Sequence, residues 1–376
     1  MRKLTDICDI QYGYAFDSKY FTEDSSYPEL VRIRDVKRGY SETFYSGEFP
    51  KEYILSAGDL LIGMDGEFNI ARWKSDGALL NQRVCKLSAK EGINEEYLRF
   101  AMSKELKRIE QRTAFVTVKH LSAKELNKLE LDVPNIFEQN RIADTLKLLE
   151  EIIKKRQQEL QKLNDLIRAR FVEMFGELAS NPCGWDTFTM EECFDITSSK
   201  RILKSEWKSQ GIPFLRVRDM VQLATTGQMD NEYFVSEEFY ESLSDSDGVP
   251  RKGDILVSAT STLGKCHVVS EGERYYFKDA DVLRFRAKKE INPIFFMELM
   301  KTYYVEDQIS KTLGITTVAH FTIKAAKTIN MRCPAIELQD EFADFVKQVN
   351  KSKAVIQKAL DKTQLLFDSL MQKYFG

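Results

Sequence analysis

LVRIRDV, residues 30–36, is written again as FLRVRDM at 214–220. Both stretches alternate apolar and basic residues, and both end in Arg-Asp-apolar. The match continues downstream. GDLL begins at 58 and GDIL at 253, GINEEYLRF at 92 and EINPIFFME at 290, FVTVKHL at 115 and ITTVAHF at 315. LDVPNIFEQNRIADTL begins at 131 and MRCPAIELQDEFADFV at 331, MFG at 174 and YFG at 374. The offset climbs from 184 through 195 and 198 to 200 and then holds. Ordered matches at a slowly growing offset mean two copies of one unit of roughly 185–200 residues, with insertions confined to loops.

Each copy has two parts. Residues 1–134 and 185–334 mix short alternating runs such as DLLIGM, DILVSA and VLRFRA with Gly, Asp and Ser punctuation. Such runs predict strands. EEYLRFAMSKELKRIEQ and PIFFMELMKTYYVEDQI predict amphipathic helices, which makes these parts α+β globular domains. Residues 135–176 and 335–376 predict long helices. Ile142, Leu146, Leu149, Ile153, Arg156, Leu160, Leu163, Ile167, Arg170 and Met174 recur at spacings of four and three, a heptad seam. Its counterpart in copy 2 is Phe342, Val346, Val349, Lys353, Ile356, Leu360, Thr363, Phe367, Leu370 and Tyr374. One chain with two seams predicts an intramolecular antiparallel coiled coil. The alternatives are that each helix packs on its own globular part or on another subunit. Each helix is about 60 Å long at 1.5 Å per residue. The join at 177–184 contains Asn-Pro and Cys-Gly and predicts a linker. The expected architecture is a pseudo-two-fold dumbbell, with a helical rod between two similar globular ends.

Composition narrows the class. The 376 residues suit two or three domains, and there is no run of 18 apolar residues to span a membrane. MRKLTDICDI lacks the apolar core of a signal peptide. The six cysteines form no C-x-x-C pair, so neither a zinc site nor a disulfide framework is indicated, and the expected location is the reducing cytoplasm. The net charge of −3 speaks against a free-standing, non-specific nucleic-acid binder, though not against local basic patches.

Catalytic patterns are sparse. There is no G-x-G-x-x-G, no G-x-x-x-x-G-K-[ST], no H-E-x-x-H and no G-x-S-x-G. Neither Asn-Pro pair continues into the Asn/Asp-Pro-Pro-aromatic motif of an adenine methyltransferase. The three histidines lack partners at metal-ligand spacing, so no metal site is expected. Asp195 with Glu206 and Lys208 satisfies the permissive acid…Glu-x-Lys pattern of a metal-dependent nuclease, which copy 1 does not repeat. A solvated loop is the preferred reading of those residues.

Polar positions that repeat or diverge are the binding candidates. Read as a strand, 30–36 points Arg32 and Arg34 to one side, as 214–220 points Arg216 and Arg218. Paired guanidiniums suit phosphate or guanine, and equally suit an ion pair with Asp35 or Asp219. Lys37, Arg38, Lys200 and Arg201 add nearby positive charge. The segments after GDLL and GDIL differ, IGMDGEFNIARW against VSATSTLGKCHV. The second supplies Ser258, Thr260, Ser261, Thr262 and Lys265 as groove donors, unless it is an ordinary hairpin. Asn81, Gln82 and Arg83 form a polar group in copy 1. Thr117, Val118, Lys119 and His120 match Thr317, Val318, Ala319 and His320 by position, which makes Lys119, His120, Thr317 and His320 candidates, though each histidine also reads as a cap for the following helix.

Taken together, these features resemble the specificity subunit of type I restriction-modification enzymes. The residues carrying the resemblance are P-x-I-x-x-Q at 134–139 and 334–339, the L-x-R-x-x-D strand, the G-D-L-L/G-D-I-L hairpin, Asn81-Gln82, and MFG followed by NPCGW at 181–185. It covers essentially the whole chain. Copy 2 departs in two places: Glu138 becomes Leu338, and Lys278-Asp279 stands near the place of Asn81-Gln82. The resemblance implies that 1–134 and 185–334 are target recognition domains, each reading one half of a split, asymmetric double-stranded DNA sequence. It implies that the helices fix the spacing and dock two modification subunits. Those subunits bind S-adenosylmethionine and methylate adenine, and a restriction subunit translocates and cleaves. The chain itself is then non-catalytic and holds no cofactor. A nuclease using Asp195, Glu206 and Lys208, or a scaffold that binds no DNA, are the competing readings.

Overall fold

The computed structural model describes residues 1–112, 120–244, 248–312 and 320–376. They form two compact units. Unit 1 is Met1–Gln158 with Gln357–Gly376, and unit 2 is Glu159–Ile356. In chain order the main elements of copy 1 are β1 (Cys8–Tyr12), β2 (Leu30–Val31), α1 (Ile33–Arg38), β3 (Leu60–Gly63), β4 (Asn69–Arg72), β5 (Leu79–Leu80), β6 (Val84–Ala89), α2 (Glu95–Arg112) and the long helix α3 (Ile136–Phe175). Copy 2 supplies β7 (Phe194–Thr197), β8 (Ile212–Leu215), α4 (Val217–Thr226), β9 (Ile255–Ser258), β10 (Cys266–Val268), β11 (Tyr276–Phe277), β12 (Val282–Ala287), α5 (Pro293–Leu299), α6 (Tyr303–Thr312) and the long helix α7 (Ile336–Phe375).

In unit 1 a four-stranded antiparallel sheet runs β1-β6-β3-β4, and β2 pairs β5 in parallel. Alternate residues of β3 serve different cores. Leu60 and Ile62 pack with Phe100, Leu106 and Leu146, while Leu61 packs with Val31, Val36 and Trp73. Unit 2 repeats this plan as β7-β12-β9-β10, with β8 parallel to β11. There Ile255 and Val257 face Phe285, Phe295 and Phe342, while Leu256 faces Met220 and Phe277. Burial on both faces is why these strands read as unbroken apolar runs. The single helix expected at 293–309 is two, α5 and α6, interrupted at Met300–Thr302.

The recurring P-x-I-x-x-Q explains how each long helix starts. Gln139, 1 % exposed, donates through Nε2 to the Pro134 carbonyl (2.8 Å) and accepts from the Asn94 amide (2.9 Å). Asn94 in turn caps α2 through the Tyr97 amide. Gln339 does the same with Pro334 and Asn292, the N-cap of α5. The motif is a buried clamp that ties two helix entries together and satisfies donors that would otherwise be orphaned.

The seams pair antiparallel within each unit. In unit 1, Ile142 and Leu146 of α3 share a core with Phe367, Leu370 and Met371 of α7. In unit 2, Ile167 and Phe171 of α3 share one with Phe342, Val346 and Val349 of α7. Leu149, Ile153, Leu160, Leu163, Ile356 and Leu360 are buried or half-buried along the same faces.

Candidate nucleic-acid interface

The stretch that repeats, 30–36 and 214–220, is not a strand, and this corrects the reading of its arginines as two teeth on one side. The strand stops at Val31 and at Leu215. Arg32 and Arg216 are the N-cap residues of α1 and α4, and Asp35 and Asp219 stand at the third helical position. Asp35 Oδ2 accepts from the Arg32 amide (3.0 Å) and the Ser41 hydroxyl (3.0 Å); Asp219 Oδ2 accepts from the Arg216 amide (3.1 Å). Both carboxylates are 1 % exposed. Arg-x-x-Asp is thus half a capping box at a strand-to-helix junction, with the acid near the positive end of the helix.

The arginine side chains of the two junctions differ. Arg32 is exposed and makes no ion pair among the described residues. Arg34 lies 3.7 Å from Asp35. Arg216 is held by Asp219 at 2.8 and 3.1 Å and by Glu232 at 3.2 Å, and lies 4.5 Å from the Tyr233 ring centre. Arg218 reaches the same Glu232 at 3.6 Å. Lys37 pairs Glu67 at 3.0 Å, and Arg38 lies 3.8 Å from Glu42.

In unit 1 three chain segments converge beside this junction. Gly13 lets the end of β1 run against Asn81, where an added Cβ would lie 2.0 Å from the Asn81 carbonyl oxygen. That brings the exposed Tyr14 next to Asn81 and Gln82, since the Gln82 amide donates to the Tyr14 carbonyl (2.8 Å). Asn81 itself is buried, with its Oδ1 accepting from the Gln82 amide. Arg83 follows in the left-handed region at φ 68°. Its carbonyl accepts from the Met64 amide, and the Met64 carbonyl accepts from the Leu121 amide, which lays 64–65, 83 and 120–121 side by side. Arg83 Nη1 donates to Asp65 Oδ2 (3.0 Å) and lies 3.1 Å from His120 Nδ1, which also contacts Asp65 Oδ1.

Unit 2 builds the same edge with other chemistry. Lys278, Asp279 and Ala280 occupy the turn after β11, Ala280 is left-handed at φ 63°, and Lys278 pairs Asp281 (2.6 Å). Lys200 and Arg201 are exposed, and the Lys200 carbonyl accepts from the Tyr276 hydroxyl (2.7 Å). Thr260 bridges His320 as Asp65 bridges His120. Ser261, Thr262 and Lys265 are exposed. Ser258 is a correction. It is fully buried, and its hydroxyl closes the hairpin onto Thr262 O and the Lys265 amide, so it offers nothing to a groove. Lys119 and Thr317 lie outside the described residues.

Sequence reasoning missed Asp65, Tyr14, Glu232 and Lys278. Asp65 and Glu232 are lone acids in loops whose partners lie far along the chain, so no local pattern marks them.

Among the described residues no catalytic constellation assembles from the candidate acids and lysine. Glu206 Oε2 accepts from the Leu203 amide (2.6 Å) as a local helix cap, and Lys208 lines the same shallow pocket as Glu206. Asp195 sits on β7 opposite Arg286 and is not part of that pocket's lining. Among the described residues no three His, Cys, Asp or Glu side chains gather as metal ligands. Burial pushes the thiols of Cys8, Cys85 and Cys266 up to about 12, so none is a thiolate nucleophile at neutral pH. No helix among the described residues is long and apolar enough to cross a membrane.

The described residues build one α+β scaffold twice, each copy with a long seam helix and a polar loop edge, the architecture of a repeat-built protein with two similar modules. The chain belongs to the type I restriction-modification DNA specificity domain family, whose model matches it twice, over residues 1–164 and 182–363. It is 28 % identical over 410 aligned positions to the specificity subunit of the type I restriction enzyme EcoBI of Escherichia coli, covering 99 % of this chain and 84 % of that one. It is 22 % identical to the MjaVIII specificity subunit of Methanocaldococcus jannaschii, covering 83 % of this chain and 78 % of the relative. Its fold is shared with the crystal structure of a type I S subunit from M. genitalium, at a TM-score of 0.61 and 18 % identity over 100 % of this chain and 95 % of that one. The protein is a non-catalytic specificity subunit that serves DNA recognition in a restriction-modification complex.

Proposed function

We propose that each globular part reads one half of a split, asymmetric DNA target, with residues 1–134 and 185–334 as the target recognition domains. The observation that carries this reading is one edge written in two chemistries. The left-handed turn holds Arg83 in copy 1 and Ala280 in copy 2, and the facing hairpin residue is Asp65 in one and Thr260 in the other. A common scaffold with divergent tips is what two unlike half-sites require. The DNA-facing residues are then Arg32, Arg34, Lys37, Arg38, Gln82, Arg83, Lys119 and His120 in copy 1. In copy 2 they are Lys200, Arg201, Arg216, Arg218, Thr260, Ser261, Thr262, Lys265, Thr317 and His320.

The paired helices set the half-site spacing and carry the partners. Val355, Leu365 and Leu366 are 70 %, 71 % and 50 % exposed on α7, outside the seam, and offer apolar contact to them. Those partners are two modification subunits, which bind S-adenosylmethionine, and a restriction subunit with translocase activity. Their own basic surfaces supply much of the phosphate contact that a chain of net charge −3 does not. The complex works on the genome in the cytoplasm.

The test is a map of adenine methylation in the host genome with the gene present and deleted. The expected result is loss of methylation at one split, asymmetric motif. Unchanged methylation in a host whose modification subunits are active overturns the reading.

A further inference from the structure

The left-handed turn after the parallel strand pair is part of the scaffold, because it recurs with Arg83 at φ 68° and Ala280 at φ 63°. Copy 2 makes the turn one residue longer, with Ala280 at the left-handed position and the Asp281 carbonyl accepting from the Ala259 amide as the Arg83 carbonyl accepts from that of Met64, so the fold does not need arginine there. The arginine must be accounted for by what its side chain does.

All its polar contacts among the described residues fall on one nitrogen. Nη1 meets Asp65 Oδ1 and Oδ2 at 3.2 and 3.0 Å and His120 Nδ1 at 3.1 Å. Asp65 and His120 come from two other segments, 18 and 37 residues away in sequence. Pinning Nη1 from one side fixes the plane of the guanidinium and leaves Nε and Nη2 as an unused pair of parallel donors. The arginine side chain is 52 % exposed, against 23 % for Asp65, so the free edge faces solvent while its anchor is partly covered. Two parallel N–H groups match the O6 and N7 acceptors of guanine, and adenine offers a donor where guanine offers O6. The anchoring removes rotamer entropy before binding, and the charge of Asp65 offsets attraction to phosphate, which favours a base edge over the backbone.

We infer that Arg83 reads a guanine in the half-site of copy 1, with Asp65 and His120 as its positioning residues. This rests on the reading of this edge as the DNA-facing one.

The experiment uses the full complex with its methyltransferase subunits. The probes are duplexes carrying the mapped target, with each guanine replaced in turn by 7-deazaguanine, which lacks the N7 acceptor. The wild-type complex should bind about 5- to 150-fold more weakly when one guanine of one half-site is replaced. Arg83→Ala should abolish that penalty and leave those of the other half-site intact. Arg83→Met, which keeps most of the stem should alanine disturb folding but has no donor, should abolish it as well. Asp65→Asn should shrink the same penalty, a readout that a purely structural ion pair would not move. Retention of every guanine penalty in both Arg83 variants overturns the inference, as does a target whose half-sites show no penalty at all. A wild-type complex with no preference for the mapped target fails differently: it sinks the recognition reading itself.

Discussion

Arg156 donates through Nη1 to the hydroxyl of Thr363, and the same nitrogen reaches the Ala359 carbonyl at 2.5 Å. The two residues are polar interruptions of opposite seams, and within unit 1 they meet. Thr363 is 9 % exposed and passes its own proton to Ala359 O at 2.8 Å, which leaves its lone pairs to the arginine. A polar pair of this kind costs packing but specifies register, because any slip of one helix against the other strands both groups.

The pair should therefore be coupled. Thr363→Val removes the acceptor and is expected to destabilise the protein by about 1.5 kcal/mol, the low end of the net value of a hydrogen bond to a charged group. Arg156→Leu combined with Thr363→Val should recover that loss by continuing the apolar seam. Thermal melts of the two singles and the double give the coupling energy. Additive effects within about 0.3 kcal/mol would mean that the contact carries no weight.

Lys353 interrupts the seam in unit 2 without such a partner. Burial holds its ammonium below the usual lysine range, with Lys301 adding to the shift and Glu298 opposing it. In the pH window between the folded value and the ordinary 10.5, the unfolded chain binds the extra proton and the folded one does not. Stability therefore rises as pH rises through that window, and below it the charged lysine subtracts from stability. Lys353→Met should stabilise the protein at pH 7 by about 1 kcal/mol, and the advantage should shrink toward pH 10.5. Denaturation of both proteins at the two pH values decides this, since other titrating groups cancel in the difference. A variant less stable at pH 7 would be the contrary result.

The tandem repeat, the long helices and their seams were legible because heptad spacing and ordered matches at a slowly growing offset are long signals that loops cannot disguise. Short signals failed for definite reasons. At 30–36 the apolar–basic alternation has the period of a strand, but the Arg-to-Asp spacing of three is that of a helix cap to its third residue. Arginine in the cap position, where Ser or Thr is usual, hid it. Ser258 looked like a surface donor because it opens a run of small polar residues, SATST, that reads as a loop. Its strand is covered on both faces, and a serine there serves the hairpin. Arg83 was in view as a polar residue, yet its role depended on Asp65 and His120, which only the folded chain brings to it.

Glu232 makes the last case. It holds Arg216 at 3.2 Å and Arg218 at 3.6 Å, so the two guanidiniums of copy 2 are drawn onto the protein, whereas Arg32 in copy 1 is free of ion pairs among the described residues. DNA would have to compete with that carboxylate for both arginines. Glu232 is 56 % exposed, so the contacts are screened and weak enough to exchange. Glu232→Gln is expected to raise the affinity of the assembled complex for its target a few-fold. It should also steepen the fall of log K with log salt, because each further phosphate neutralised adds about −0.9 to the slope. Arg216, tied to Asp219 by two contacts of 2.8 and 3.1 Å against one of 3.5 Å for Arg218, should add less than Arg218, so Glu232→Gln combined with Arg218→Ala should return the slope close to the wild-type value. Binding titrations at several salt concentrations separate these outcomes. An unchanged slope for Glu232→Gln would place Arg216 and Arg218 away from the phosphates and leave Glu232 as a partner in a purely structural ion pair.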